Sequence, residues 1–212
     1  MAPMPRLHDI SQRLHPALPV WPGEPPVELR RLASIGPDCP VNVGALSAPL
    51  HAGTHADAPL HYDAQGLDGS ATNLEPYIGP CVLLDLSAAG PLIDVGDIDW
   101  PSIEGTERVL LRTYRHFPHK AWEPGFKAVS PAVVTRMACL GIRLLGTDAP
   151  SLDPQTSKTM DAHQAIRAAD MRILEGLVLD NVPPGRYELI ALPLAIVGAD
   201  ASPVRAVLRE TR

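Results

Sequence analysis

The chain has 212 residues, 45% hydrophobic and 20% charged, with a formal net charge of −6 at pH 7. That length buries a substantial core within one domain spanning 1–212, and an acidic balance without a basic run argues against nucleic acid or a membrane surface as partner. Met1–His8 holds no apolar leader-like stretch, and the apolar runs fall short of a bilayer span. Cys39, Cys81 and Cys139 are odd in number and widely separated, neither a disulfide framework nor a zinc-ribbon spacing. A reduced, cytoplasmic chain with buried or partly buried thiols is expected.

Taken in order, the elements are short and sharply punctuated, as 24 prolines and 16 glycines require. Trp21-Pro-Gly-Glu-Pro-Pro26 is a turn or extended loop, because three prolines in six residues exclude helix. Val27–Leu32 and Val41–Leu46 read as short strands. Cys81–Leu86, Arg108–Thr113, Ile142–Gly146, Leu177–Leu179, Tyr187–Leu192 and Val204–Leu208 read as further, mostly buried strands. Ser130–Leu140 is a helix with a Ser N-cap and Pro at its first position, stopped by Gly141. Asp161–Ala169 is a second helix, with Asp161 as N-cap. Strands outnumber helices and alternate with them irregularly, which predicts an α/β fold with a mixed, barrel-like β core and few helices.

The chemistry concentrates in His51-Ala-Gly-Thr-His55-Ala-Asp57-Ala-Pro-Leu-His61. Three imidazoles and a carboxylate stand among small or apolar fillers, and these are ligand types that zinc and its first-row neighbours accept. They occupy alternate positions and would share one face of an extended chain. A straight strand would part His51 and His61 by roughly 33 Å, whereas ligands of one ion sit about 2 Å from it. The segment must therefore bend, most easily at Gly53 and Pro59, as a strand that ends near His51 and wraps into a loop.

Downstream candidates are His163, in the first turn of the second helix, and Glu175, an acid in the apolar run Arg172–Gly176. A buried carboxylate needs a cation or hydrogen-bond donors. Twelve residues of helix span about 18 Å, so the chain must reverse after Ala169 to return Glu175 toward His163. His116 and His119 read as a surface loop and Asp148 as a turn cap. Ser151 lacks a nucleophile elbow.

The pattern His51-x-Gly-Thr-His55-x-Asp57-x-Pro-x-His61 resembles the signature of the cyclase-type metal-dependent hydrolase family. Likeness to that family continues through Asp9–Ser11, Pro19–Gly23, Thr147–Ser151, Ile173–Leu177, Pro183–Leu189 and Gly198–Arg205, nearly the whole chain. The resemblance implies a homodimer of swivelling β/β/α fold with two zinc ions per subunit, while histidine and carboxylate ligands also accept manganese or cobalt. His51, His55 and Asp57 would hold the first ion, Asp57 and Glu175 would bridge, and His163 would complete the second. His61 would be the catalytic acid–base and Trp21 would contact substrate. The implied reaction is hydrolysis of N-formyl-L-kynurenine to L-kynurenine and formate in tryptophan breakdown, with a small pocket near Ala56 and Ala58 suited to the formyl group. Two other readings stay open. One is hydrolysis of a related amide or lactam, such as isatin with manganese. The other is metal-dependent binding of a small molecule without catalysis.

Overall fold

Apolar runs too short for helix and buried on both faces dictate the architecture. In the computed structural model, which describes residues 5–211, these runs form the middle of a nine-stranded mixed sheet curled into a half-barrel. Met1–Met4, part of the stretch read for a leader, lie outside the described residues. The strands are β1 (Leu7–Asp9), β2 (Glu28–Ala33), β3 (Val43–Ser47), β4 (His55–Asp57), β5 (Ile78–Asp85), β6 (Leu92–Ile93), β7 (Arg108–Arg112), β8 (Ala128–Val129), β9 (Leu144–Thr147), β10 (Arg172–Glu175), β11 (Gly185–Ile190), β12 (Ala201–Pro203) and β13 (Val207–Glu210). Among the described residues there are two α-helices, α1 (Pro131–Cys139) and α2 (Asp161–Ala168). The main sheet runs β1-β13-β11-β5-β7-β9-β10-β4-β12. Its centre, β5 to β10, is parallel, and the flanking pairs are antiparallel.

Parallel strands covered on both sides are apolar at successive positions rather than alternating with polar residues. Val82, Leu84, Val109, Leu111, Leu145 and Ile173 face one core with Val133, Val134 and Met137 of α1 and Ile166 of α2. The intervening residues, Cys81, Leu83, Leu110, Leu144 and Leu174, face a second core with Tyr77, Leu189 and Leu208 inside the curl. The two helices pack on each other on the first side.

Several expectations are corrected. Leu177–Leu179 is buried but not a strand. Its amides reach single carbonyls, Leu177 N–H to Thr147 and Val178 N–H to Ile10, so no ladder forms. The strand is the preceding segment, Arg172–Glu175, whose polar ends disguise its apolar centre. The last strand, read over Val204–Leu208, is two pieces, β12 and β13, because the chain leaves one end of the sheet and rejoins the other. Asp161 is not the N-cap of α2. Met160 holds that position with φ 51° and no side-chain hydrogen bond, and Asp153 caps the helix from a distance. Cys139 is exposed, whereas Cys81 is buried and Cys39 partly so. For α1, Ser130 is the N-cap and its hydroxyl accepts from Val133 N–H.

Candidate metal centre

β4 carries the short alternation that the sequence displays. His55 and Asp57 point to one face of the sheet, while Ala56 between them points into the inner core. β4 lies between β10 and β12, with His55 opposite Glu175 and Asp57 opposite Ile173 and Ala201. Cross-strand partners share a face, so the register itself brings Glu175 to the histidines. The chain reverses between α2 and β10 through Asp170 at φ 50°, which returns Glu175 beside His163.

His51 belongs to a turn rather than to a strand end, since β3 stops at Ser47, and the strand falls instead at His55–Asp57, where a loop was expected. The bends fall at the expected residues: Gly53 has φ +70°, and Pro59 opens the 3-10 turn Pro59–His61 that carries His61. Thr54 Oγ1 donates to Gly176 O at 2.6 Å and accepts from Gln12 N–H at 2.8 Å, and Gln12 Nε2 donates to the same carbonyl. Gly176 sits so close that a Cβ there would lie 2.3 Å from Gly53 O, which only glycine accommodates. This knot fixes the His51 turn against the end of β10.

All six expected residues converge. His51 Nδ1 lies 3.1 Å from Asp57 Oδ1, and His55 Nε2 lies 3.4 Å from both Asp57 Oδ1 and Glu175 Oε2. His163 Nε2 lies 3.4 Å from Asp57 Oδ2 and 3.6 Å from Glu175 Oε1. The ring centroids of His51 and His61 are 4.2 Å apart. Asp57 is 1% exposed, yet both of its oxygens and His55 Nε2 are buried without a hydrogen-bond partner. Orphaned ligand atoms that converge at this depth are costly unless something binds them. A shared cation is the chemical group that suits nitrogen and carboxylate donors together, so the residues present fit a metal. Two overlapping donor sets meet on Asp57, one with His51 and His61 and one with His55 and Glu175.

The electrostatics agree. Burial disfavours charge on His55, but Asp57 and Glu175 outweigh it and carry the imidazole to about 10. His163 is likewise opposed by burial, and Asp153, Asp57 and Glu175 raise it to about 10. Burial would push Asp57 up, yet the His163, His51 and His55 imidazoles close around it hold it well below the usual carboxylate range. The pocket thus attracts positive charge, and a cation entering it would displace protons.

Two residues that the pattern of the sequence did not single out hold the far sides of the imidazoles. Asp153 takes His163 Nδ1 at 2.6 Å and accepts from the Ala162 and His163 amides of α2. Asp200 Oδ2 lies 3.1 Å from His51 Nε2 and 3.4 Å from His61 Nδ1. A carboxylate behind a histidine fixes its tautomer and ring plane. Asp153 sits eight residues before α2, and Asp200 stands in Gly198–Arg205. Only the latter segment carried a signal, as part of the family likeness.

The cluster floors a cavity of about 280 Å³. Trp21, Trp122, Tyr114 and Phe117 are among its walls. The rings of Trp21 and Trp122 meet edge-on at 5.2 Å, and Trp122 Nε1 donates to Gln155 Oε1 at 2.8 Å. Ala56 and Ala58 do not line the cavity: both are buried at 2% exposure, because β4 turns Ala56 into the core. Asp148 caps the loop after β7 as expected, accepting from Thr113 and Tyr114. His116 and His119 are exposed. Ser151 Oγ accepts from Asp153 N–H.

A sheet-borne histidine and carboxylate cluster beneath an aromatic cavity suits a metal-binding enzyme, and the family model described as putative cyclase matches residues 8–154. The chain belongs to that family. It is 64% identical over 98% of its length to a kynurenine formamidase of Sphingopyxis alaskensis, covering 99% of that protein. It is 57% identical to one of Maricaulis maris, with coverage of 98% and 99%. Among solved structures, a potential metal-dependent hydrolase with cyclase activity superposes with TM-score 0.85 at 29% identity, covering 98% of this chain and 99% of that one. An isatin hydrolase bound to the product analogue thioisatinate shares the fold at TM-score 0.85 and 23% identity, over 99% and 94% of the two chains. Among the described residues no helix is long and apolar enough to cross a membrane.

Proposed function

We propose that residues 1–212 form one hydrolase domain that converts N-formyl-L-kynurenine to L-kynurenine and formate, with two zinc ions, in tryptophan breakdown. The observation that carries this reading is the set of orphaned, buried donor atoms on His55 and Asp57 at the floor of an aromatic-walled cavity. The formamidase relatives, at 50–64% identity over nearly the full chain, supply the substrate.

His51, His55 and Asp57 would hold one cation and His163 the other, with Asp57 and Glu175 available to both. When bound, two divalent cations supply Lewis acidity, making water nucleophilic near neutral pH and polarising a carbonyl. Glu175 is kept in place by Leu152 N–H, which donates to Oε1 at 2.8 Å. Asp200 occupies the Nδ1 side of His61, which leaves Nε2 for proton transfer. His61 accepts a proton as water adds to the formyl carbon, then delivers it to the departing aryl amine. An aryl amine leaves more readily than an alkyl amine, so one acid–base group suffices. Trp21 offers its ring to the aromatic part of the substrate. Formylkynurenine turnover by purified protein, lost with chelator and restored by zinc, tests this reading. Faster turnover of isatin, or none of formylkynurenine, overturns it.

Asp153→Asn keeps an acceptor for α2 and removes the charge behind His163. The expected result is metal affinity weakened by about 10- to 100-fold in a chelator-competition titration. Unchanged affinity would limit Asp153 to capping the helix.

The homodimer pairs through the β2–β3 hairpin. Leu29 and Leu46 are cross-strand partners, exposed at 57% and 53%, and Leu32 and Ile35 are exposed beside them at 63% and 66%. Large apolar side chains exposed together on one hairpin suit an association surface. Leu29→Asp combined with Leu46→Asp is expected to halve the mass measured by light scattering. A monomeric wild-type chain would remove the dimer.

A further inference from the structure

We infer that Glu24 is the anionic subsite that receives the α-ammonium group of an amino-acid substrate, an inference that rests on the formamidase reading above. Glu24 lines the cavity, and its Oε2 is buried without a hydrogen-bond partner. The local sequence explains its position. Trp21-Pro-Gly-Glu24 closes a β-turn, with Glu24 N–H donating to Trp21 O at 3.0 Å and Gly23 at φ +98°. Proline followed by a positive-φ glycine is the type II pattern, which holds the end residues within about 7 Å. One rigid turn therefore presents an aromatic ring and a carboxylate side by side at the same wall.

The other cavity acids are engaged or open to water. Asp148 accepts from Thr113 and Tyr114, Asp153 from α2, and Glu175 from Leu152, while Glu123 is exposed. No lysine or arginine is among the described residues lining the cavity. A wall with a partly buried carboxylate whose Oε2 has no partner, indole faces and no cation selects a positively charged group. N-Formyl-L-kynurenine carries one at the end of the molecule opposite the formyl group. Its carboxylate finds no cation in this wall and is left toward solvent, so the amine is the part of the amino-acid end that is read.

The test compares kcat/KM for N-formyl-L-kynurenine with that for 2′-formamidoacetophenone, which keeps the formanilide and lacks the amino-acid end. In wild type the ratio is expected to favour formylkynurenine. In Glu24→Gln it should fall by about 10- to 100-fold, the usual reach of a hydrogen bond to a charged group. Inhibition of the wild type provides a reading that needs no variant. Kynuramine, which has the amine and no carboxylate, should inhibit about as strongly as L-kynurenine, and 2′-aminoacetophenone much more weakly. An unchanged ratio in Glu24→Gln, a collapse in Glu123→Gln instead, or equal inhibition by all three compounds overturns the subsite. Failure of the formamidase reading is distinguishable, because wild type would then turn over neither substrate.

Discussion

His61→Ala is expected to keep its metal and lose turnover by about 10²-fold or more, the usual scale for a missing acid–base group. The placement of His61 makes this informative. It stands at the end of a 3-10 turn rather than on the sheet, with 27% of its side chain exposed, while His55 and His163 are almost fully enclosed. It also shares a possible donor set with His51 and Asp57, so the same residue can be imagined as a ligand. Elemental analysis separates the two roles. Retained metal with slow turnover assigns proton transfer to His61, and lost metal makes it a ligand.

Asp57→Ala should strip both ions and lower turnover by about 10³-fold or more, since Lewis-acid stabilisation contributes several kcal/mol and each decade costs about 1.36 kcal/mol. Both donor sets pass through this one carboxylate, and His51, His55 and His163 all converge on it. Its cross-strand neighbours carry no side-chain oxygen to replace it, because β12 presents Ala201 opposite Asp57 and β10 presents Ile173. Two ions still bound by elemental analysis would show that Asp57 bridges nothing. A circular dichroism spectrum matching wild type guards against reading a misfolded chain as a stripped site.

Much of this centre was legible before any fold was known. Alternation at His55 and Asp57 was readable because an extended chain has period two, although this stretch was expected to loop and is instead the fully buried strand β4. The bends at Gly53 and Pro59 were readable from backbone chemistry. Glu175 was harder. Its neighbours Arg172 and Gly176 broke the apolar run, and its strand was assigned a few residues too late. Asp153 and Asp200 carried no local pattern, since a carboxylate behind a histidine has no required spacing from it. The alanines were misplaced for a similar reason: strand face is a matter of pairing partner, not of residue size alone.

Local order along the chain therefore specified the ligand types, the short alternation, the two helices and the apolar strands, because each depends on contacts within a few residues. Tertiary structure alone decided which strands lie side by side. It set the register of β4 against β10 that turns His55 toward Glu175, and it brought Asp153 and Asp200 behind the imidazoles. It also placed Glu24 in the cavity wall. Those outcomes depend on hydrogen-bond ladders and packing between segments far apart in the chain, which no spacing in the sequence encodes.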